Sequence, residues 1–257
     1  MNMASSNKAI ISVQGLQKSY GSLQVLKNIT FSVPEGSIFG ILGPNGAGKT
    51  TTLEILETLI KKDAGVVTID GKNLDSEVNA IKKVIGVQLQ TAGYFPNLNL
   101  KELIELFAGL YNVQVNPIDI LESVQLVDKK RSKFKELSGG QKQRFSIATT
   151  MIHQPKIIFL DEPTTGLDPQ ARRNLWDQIL ALKASGATVL LTTHYLDEAE
   201  YLCDQVAIID EGIIKVVDTP QHLVDQLIAS GFQPKQKPKL ASLEDVFIAM
   251  TGKAIRQ

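Results

Sequence analysis

The segment Gly43-Pro44-Asn45-Gly46-Ala47-Gly48-Lys49-Thr50 has the spacing of a phosphate-binding loop: a glycine, four residues, then Gly-Lys-Thr. Glycines let the backbone curl so that successive N–H groups point inward at phosphate oxygens, and a helix starting at Lys49 adds the positive end of its dipole. Lys49 offers a cation to β- and γ-phosphates, the Thr50 hydroxyl offers a ligand to Mg²⁺, and Thr51 follows in the same binding turn. A second group suits the same chemistry. The apolar run 157–160 ends in Asp161-Glu162-Pro163. An acid at such a strand end holds Mg²⁺ through its water shell, a role that fits Asp161. Glu162 is then placed to orient or deprotonate an attacking water. An acid pair that merely caps the next loop is the plainer alternative, and the intact phosphate loop upstream weighs against it.

A third group is Leu137-Ser138-Gly139-Gly140-Gln141, which precedes a helix-periodic run carrying Phe145, Ile147, Ala148, Met151 and Ile152. A serine hydroxyl, flexible backbone N–H groups and a helix N-terminus make a second anion cradle. One nucleotide has no evident use for two cradles on one chain. Two chains facing head to tail do. Of the three histidines, His153 near a helix end and His222 in a polar helix read as structural. His194 directly follows an apolar strand, where a group serving a phosphate site belongs.

The elements that must position these residues are legible in outline. Residues 28–33 alternate Asn28, Thr30, Ser32 with Ile29, Phe31, Val33, a half-buried strand pattern. The turn Pro34-Glu35-Gly36 leads into the apolar run 38–42, and residues 66–69 give another short strand closed by Asp70-Gly71. Asn99 with Glu102 reads as a capping box, followed by Leu103, Ile104, Phe107, Leu110 and Tyr111 as an apolar helical stripe. The segment from about residue 90 to 135 is thus expected to be a helical insertion. Beyond it, strands at 157–160 and 188–192 alternate with helices opened by Pro169 and spanning 196–203, which implies a parallel sheet covered on both faces. A hairpin across Glu211-Gly212 closes the core. Lys235, Lys237 and Lys239 among prolines read as a solvated linker before a last helix capped by Ser242 with Asp245.

The 257 residues, 43% hydrophobic and 21% charged, have the composition of a globular chain. Lys plus Arg equals Asp plus Glu at 27 each, so no general electrostatic grip on nucleic acid is expected. The single cysteine, Cys203, excludes an internal disulfide and reads as a packed thiol. No signal-peptide layout opens the sequence, and its apolar runs are far shorter than the roughly 20 residues of a bilayer span. Work at a membrane would therefore require a separate anchor. The basic run Lys129, Lys130, Arg131, Lys133, Lys135 reads as a solvated loop.

Together these residues carry a resemblance. From about residue 10 to 218 the chain resembles the nucleotide-binding subunits of ATP-binding-cassette transporters, with every landmark in family order. The resemblance implies an α/β fold of the phosphate-loop NTPase type, with a mixed-sheet core, an antiparallel β subdomain and an inserted helical subdomain at about 90–150. It assigns residues 1–230 to the ATPase domain and 231–257 to a linker and short helical tail. It implies ATP and Mg²⁺ as ligands. Tyr20, in Lys18-Ser19-Tyr20-Gly21, matches an aromatic that stacks on adenine, and Gln90 matches a loop glutamine that senses Mg²⁺ and meets the membrane partner, with Gln88 as its rival. Leu137 to Gln141 matches the family signature. Asp168, in Gly166-Leu167-Asp168-Pro169, matches a loop that crosses to the opposing subunit, and it also suits an N-cap. His194 matches a switch histidine at the γ-phosphate. Tyr94-Phe95-Pro96 falls where the family faces its transmembrane partner and is expected to be a docking surface.

The function these expectations describe is ATP hydrolysis by a head-to-tail dimer, homodimeric or with a close paralogue, coupled to a separate permease at the inner face of the cell membrane. The run 193–200 and Leu243-Glu244-Asp245-Val246-Phe247 resemble ATPases that export drugs, antibiotics or polymers. The rival readings are an importer ATPase or a soluble cassette ATPase of iron–sulfur assembly. A GTPase or small-molecule kinase would explain residues 43–50 but leave residues 137–141 without a purpose.

Overall fold

The computed structural model describes residues 8–88 and 93–232. Two sheets organise the chain. The first is antiparallel, with strands β1 (Ala9–Tyr20), β2 (Leu23–Pro34), β4 (Ala64–Ile69) and β5 (Lys72–Asn73) in the order β2-β1-β4-β5. The expected strand at 28–33 is the second half of β2. Ile29, Phe31 and Val33 are buried there, while Thr30 and Ser32 face out. The pattern starts at Asn28 because Asn28, at φ 69°, is the extra residue between the pairs Leu16–Ile29 and Gln17–Lys27. Such a bulge resets which residues face inward.

The second sheet holds β3 (Ile38–Leu42), β6 (Ile85–Gln88), β7 (Ile157–Asp161), β8 (Thr188–Thr193), β9 (Gln205–Asp210) and β10 (Ile213–Asp218), ordered β10-β9-β3-β8-β7-β6. Five strands run parallel, and β10 pairs antiparallel with β9. Strands β3, β7 and β8 are buried at every residue, which is why their centres read as continuous apolar runs rather than alternating ones. Phe39, Ile41, Phe159 and Leu190 point to one face, where they meet the first sheet and helix α1 (Lys49–Leu56). Ile38, Leu42, Ile158, Leu160, Val189 and Leu191 point to the other, against α6 (Pro169–Ala184) and α7 (Leu196–Leu202). Cys203 is buried in this second layer, and burial pushes its thiol pKa up, so it packs as an apolar group.

A third, separate cluster forms among α3 (Leu100–Tyr111), α4 (Pro117–Ser123) and α5 (Gly139–Thr150), the helical insertion anticipated from the sequence. The Asn99–Glu102 capping box opens α3. Its stripe is narrower than expected. Leu103, Ile104 and Ala108 are buried, but Leu110 is 70% exposed. The Tyr94-Phe95 patch also divides. The Tyr94 ring lies 4.2 Å from Phe134 and 5.4 Å from Phe145, and its hydroxyl meets Thr149 Oγ1 at 3.0 Å. Tyr94 is therefore core, a correction to its expected place on a docking surface, whereas Phe95 is 60% exposed. Short α2 (Val78–Ile81) precedes β6, and α8 (Pro220–Ala229) follows β10. Gln90, the basic linker and the helix expected after Ser242 lie outside the described residues.

Candidate active site

Parallel strands put their C-terminal ends on one edge, and each end delivers one part of the site. Strand β3 runs into the phosphate loop, β7 ends at Asp161, β8 at Thr193 just before His194, and β6 at Gln88. The register Leu42–Thr193, Asp161–Thr192 and Gln88–Leu160 brings these ends level. A ligand crevice at the carboxyl ends of a parallel sheet is the general outcome of this topology.

Residues 43–48 turn out of β3 and deliver Lys49 at the start of α1. Gly43 is needed for close approach, because a Cβ there would lie 2.1 Å from the Ile209 carbonyl oxygen. Lys49, only 5% exposed, donates to the carbonyls of Gly43 at 2.8 Å and Pro44 at 3.1 Å. Its Nζ is 3.7 Å from Glu162 Oε1. The Thr50 hydroxyl sits 3.3 Å from Asp161 Oδ2, and Thr51 occupies the same first turn of α1. One neutral oxygen from the first turn of α1 and one carboxylate from the end of β7 are what Mg²⁺ takes from a protein when phosphates and water complete its octahedron. No group of three or more His, Cys, Asp or Glu side chains that could hold a metal ion occurs among the described residues.

Glu162 adopts φ 45°, a left-handed conformation that costs a glutamate roughly 1–3 kcal/mol and commonly marks functional sites. The twist turns its carboxylate back over the loop: Oε1 lies 3.3 Å from His194 Nδ1 and Oε2 accepts from Thr165 Oγ1 at 3.2 Å. Thr192, a residue to which the sequence assigned no role, ties the two acids together. Its hydroxyl donates to Asp161 Oδ1 and accepts from the Glu162 N–H at 3.0 Å. The pair of threonines closing a buried strand just before His194 was the available signal.

Asp168 caps α6, accepting from the Ala171 N–H at 2.8 Å, and Pro169 takes the first helical position. Ser138 caps α5 in a reciprocal box with Gln141: the Ser138 N–H donates to Gln141 Oε1 at 3.0 Å and Ser138 Oγ accepts from the Gln141 N–H. Ser138 and Gly139 are exposed, and Gly140 lets α5 close on α6, since a Cβ there would lie 3.1 Å from that of Ala171. Among the described residues, no hydrogen bond or ion pair joins residues 138–141 to the phosphate loop of the same chain. Tyr20 is half exposed at the tip of the β1–β2 hairpin, with Lys18 Nζ 5.4 Å from its ring centre. Gln88 is buried at the end of β6. His153 accepts its structural reading, bonded to the Ile85 carbonyl and stacked on Tyr111, and His222 pairs with Asp218 at 2.7 Å.

The family model described as ABC transporter matches residues 26–165, more than half of the chain. The chain belongs to the ABC transporter ATPase family. Its curated relatives include the Nod factor export ATP-binding protein I of Ralstonia nicotianae, 39% identical over 84% of this chain and 68% of that one. The linearmycin resistance ATP-binding protein LnrL of Bacillus subtilis is 34% identical over 85% of this chain and 72% of its own length. Among solved structures, an ATP-binding subunit of an ABC transporter superposes with TM-score 0.76 at 29% identity, covering 94% of this chain and 99% of that one. A dimeric ATP-binding cassette in a post-hydrolysis state with ADP and Pi gives TM-score 0.74 at 27% identity, over 82% of this chain and 98% of that one. The chain is accordingly an ATP-binding subunit that hydrolyses ATP. No helix among the described residues is long and apolar enough to cross a membrane.

Proposed function

We propose that this ABC ATPase works as a head-to-tail dimer, with itself or a close paralogue, that drives a separate transmembrane permease in export. The observation that carries the dimer is the exposed, capped N-terminus of α5 at Ser138, a finished anion cradle with no tie to its own phosphate loop. In this reading residues 43–51 of one subunit hold the nucleotide phosphates and residues 138–141 of the other close on the γ-phosphate. Asp168 lies on the same side through the packing of α5 on α6 and reaches toward the opposing subunit. Tyr20 stacks on the adenine.

Mg²⁺, held by Thr50 and Asp161, with Gln90 in the sensing role the family resemblance gives it, would neutralise charge on the phosphates. Glu162 accepts the proton of the attacking water, His194 holds the γ-phosphate end of the site, and Lys49 supplies a fixed cation where negative charge develops. Closure around two nucleotides and reopening after hydrolysis is the motion offered to the permease.

Export is supported by the names of the relatives, which concern Nod factor export and linearmycin resistance, and by a daunorubicin resistance protein of Streptomyces coeruleorubidus that is 38% identical over 83% of this chain. Cargo choice then resides in the permease. The expected place of work is the cytoplasmic, inner face of the cell membrane. Exposed Phe95, beside a cleft of about 240 Å³ lined by Gln88, Phe107 and Thr149, offers the permease a surface where the helical insertion meets the sheet. Glu162→Gln tests the reading: it keeps shape and ATP binding, so the chain should accumulate as an ATP-bound dimer in size-exclusion chromatography. A Glu162→Gln protein that stays monomeric with saturating ATP would contradict it.

A further inference from the structure

One carboxyl lies deeper than any other in the described part of the molecule and has no part in the site above. Glu198, in the first turn of α7, has no exposed surface. Its Oε1 accepts from Trp176 Nε1 at 3.0 Å, across from α6. The hydroxyls of Thr164 and Thr193 stand close enough to act on its ionisation; burial raises its pKa, while those hydroxyls, the indole and the Arg172 charge oppose the rise. Thr164 itself is fully buried, and neither Thr164 Oγ1 nor Glu198 Oε2 has a hydrogen-bond partner among the described residues.

The positions of these partners matter. Thr164 lies in the short segment between Glu162 and Asp168, and Thr193 directly precedes His194, where its Oγ1 accepts from the Tyr195 N–H at 3.0 Å. Arg172 of α6 makes a second bridge to the same loop, stacking 4.3 Å over the Tyr195 ring and pairing with Asp197 at 3.5 Å. A leucine or methionine at 198 would fill the space under Trp176 without the desolvation cost of a carboxyl. What the carboxyl adds is direction: Oε1, accepting from the Trp176 indole, fixes α7 against α6.

We propose that Glu198 is a positioning residue: through Trp176 it ties α7, which follows His194, to α6, which Asp168 caps, and so keeps the Asp168 loop and His194 in one register. The approach of a second subunit at Asp168 and the placement of the histidine at the γ-phosphate are then set together. The inference rests on the roles given above to Asp168 and His194, so His194→Ala is measured alongside.

The test is steady-state ATP hydrolysis by the purified full chain. Glu198→Ala should lower kcat by about tenfold with KM for ATP held within about twofold, the pattern of a group felt only in the reacting state. Glu198→Gln, whose amide oxygen still accepts from Trp176, should recover most of that rate. Trp176→Phe, which removes the indole N–H, should lower kcat about threefold and serves if Glu198→Ala does not fold. Adding Asp168→Ala to either variant should cost less than the sum of the separate losses, because coupled groups are not additive. Unchanged kcat in Trp176→Phe, a loss confined to KM, or strict additivity with Asp168→Ala would overturn the proposal. An unaffected His194→Ala would instead overturn the site reading on which it stands.

Discussion

The Thr192 hydroxyl makes two bonds that hold the metal-side acid and the base-side acid in fixed relation. Thr192→Val preserves volume and removes both, leaving Asp161 without its buried donor. We expect a stability loss of about 1–3 kcal/mol by denaturant melt and a fall in kcat larger than that in ATP affinity. Wild-type turnover in a folded Thr192→Val chain would remove it from the account. Glu57, the C-cap of α1, is 5% exposed. Burial first, then the nearby Asp161 and Glu54 charges, push its pKa from the ordinary 4.5 up to about 8. Between those values the folded chain keeps a proton that the unfolded chain has lost. Stability from this group is therefore complete below about pH 4.5 and declines as pH rises through about 8, by a few kcal/mol in order of magnitude. In metal-free buffer, Glu57→Gln should flatten the fall of Tm between about pH 5 and about pH 8. Parallel Tm curves for the two chains would contradict this.

At the scale of elements, what was legible in the sequence was what is local. The Asn99–Glu102 box and the Asp168-Pro169 helix start are settled within four residues, and both stand as read. The strand ends at Asp161 and His194 were legible because buried parallel strands leave long apolar runs with abrupt polar stops. Tyr94 and Phe95 were not separable, since their burial is decided by Phe134 and Phe145, far along the chain. Leu110 was misjudged for the same reason: periodicity gives a face, while only the neighbouring helices say how far that face is covered. Likewise Thr192 and Glu198 needed three elements in place before their roles could be seen. The division of Tyr94 from Phe95 makes an element-level prediction. Phe95→Ala should leave Tm and the ATPase rate of the isolated chain unchanged, yet lower transport in the assembled system, because it deletes only exposed apolar surface. Tyr94→Ala should instead lower Tm, as loss of a packed aromatic typically costs about 3–5 kcal/mol. Transport at the wild-type rate in Phe95→Ala would place the permease contact elsewhere.

For the whole molecule, the proposed function makes the site on each chain incomplete until the chain pairs. Two-fold symmetry then makes two composite sites, each built from the phosphate loop of one copy and the Ser138 cradle of the other. Loss of the base should trap that pair: Glu162→Gln is expected to hydrolyse ATP at least 100-fold more slowly, the scale of a lost general base, while eluting as a dimer in ATP. The most direct measurement uses two chains, each defective in one half. Lys49→Ala spoils the phosphate loop. Ser138→Asp keeps a competent N-cap for α5 but sets a negative charge against the γ-phosphate. Each alone should be inactive. Mixed in equal amounts, about half of the pairs contain one of each, and in these one of two sites is intact, so about a quarter of the wild-type rate should return. If the mixture stays as inactive as its components, although the chains pair, each site is contained within a single chain and the composite site is wrong.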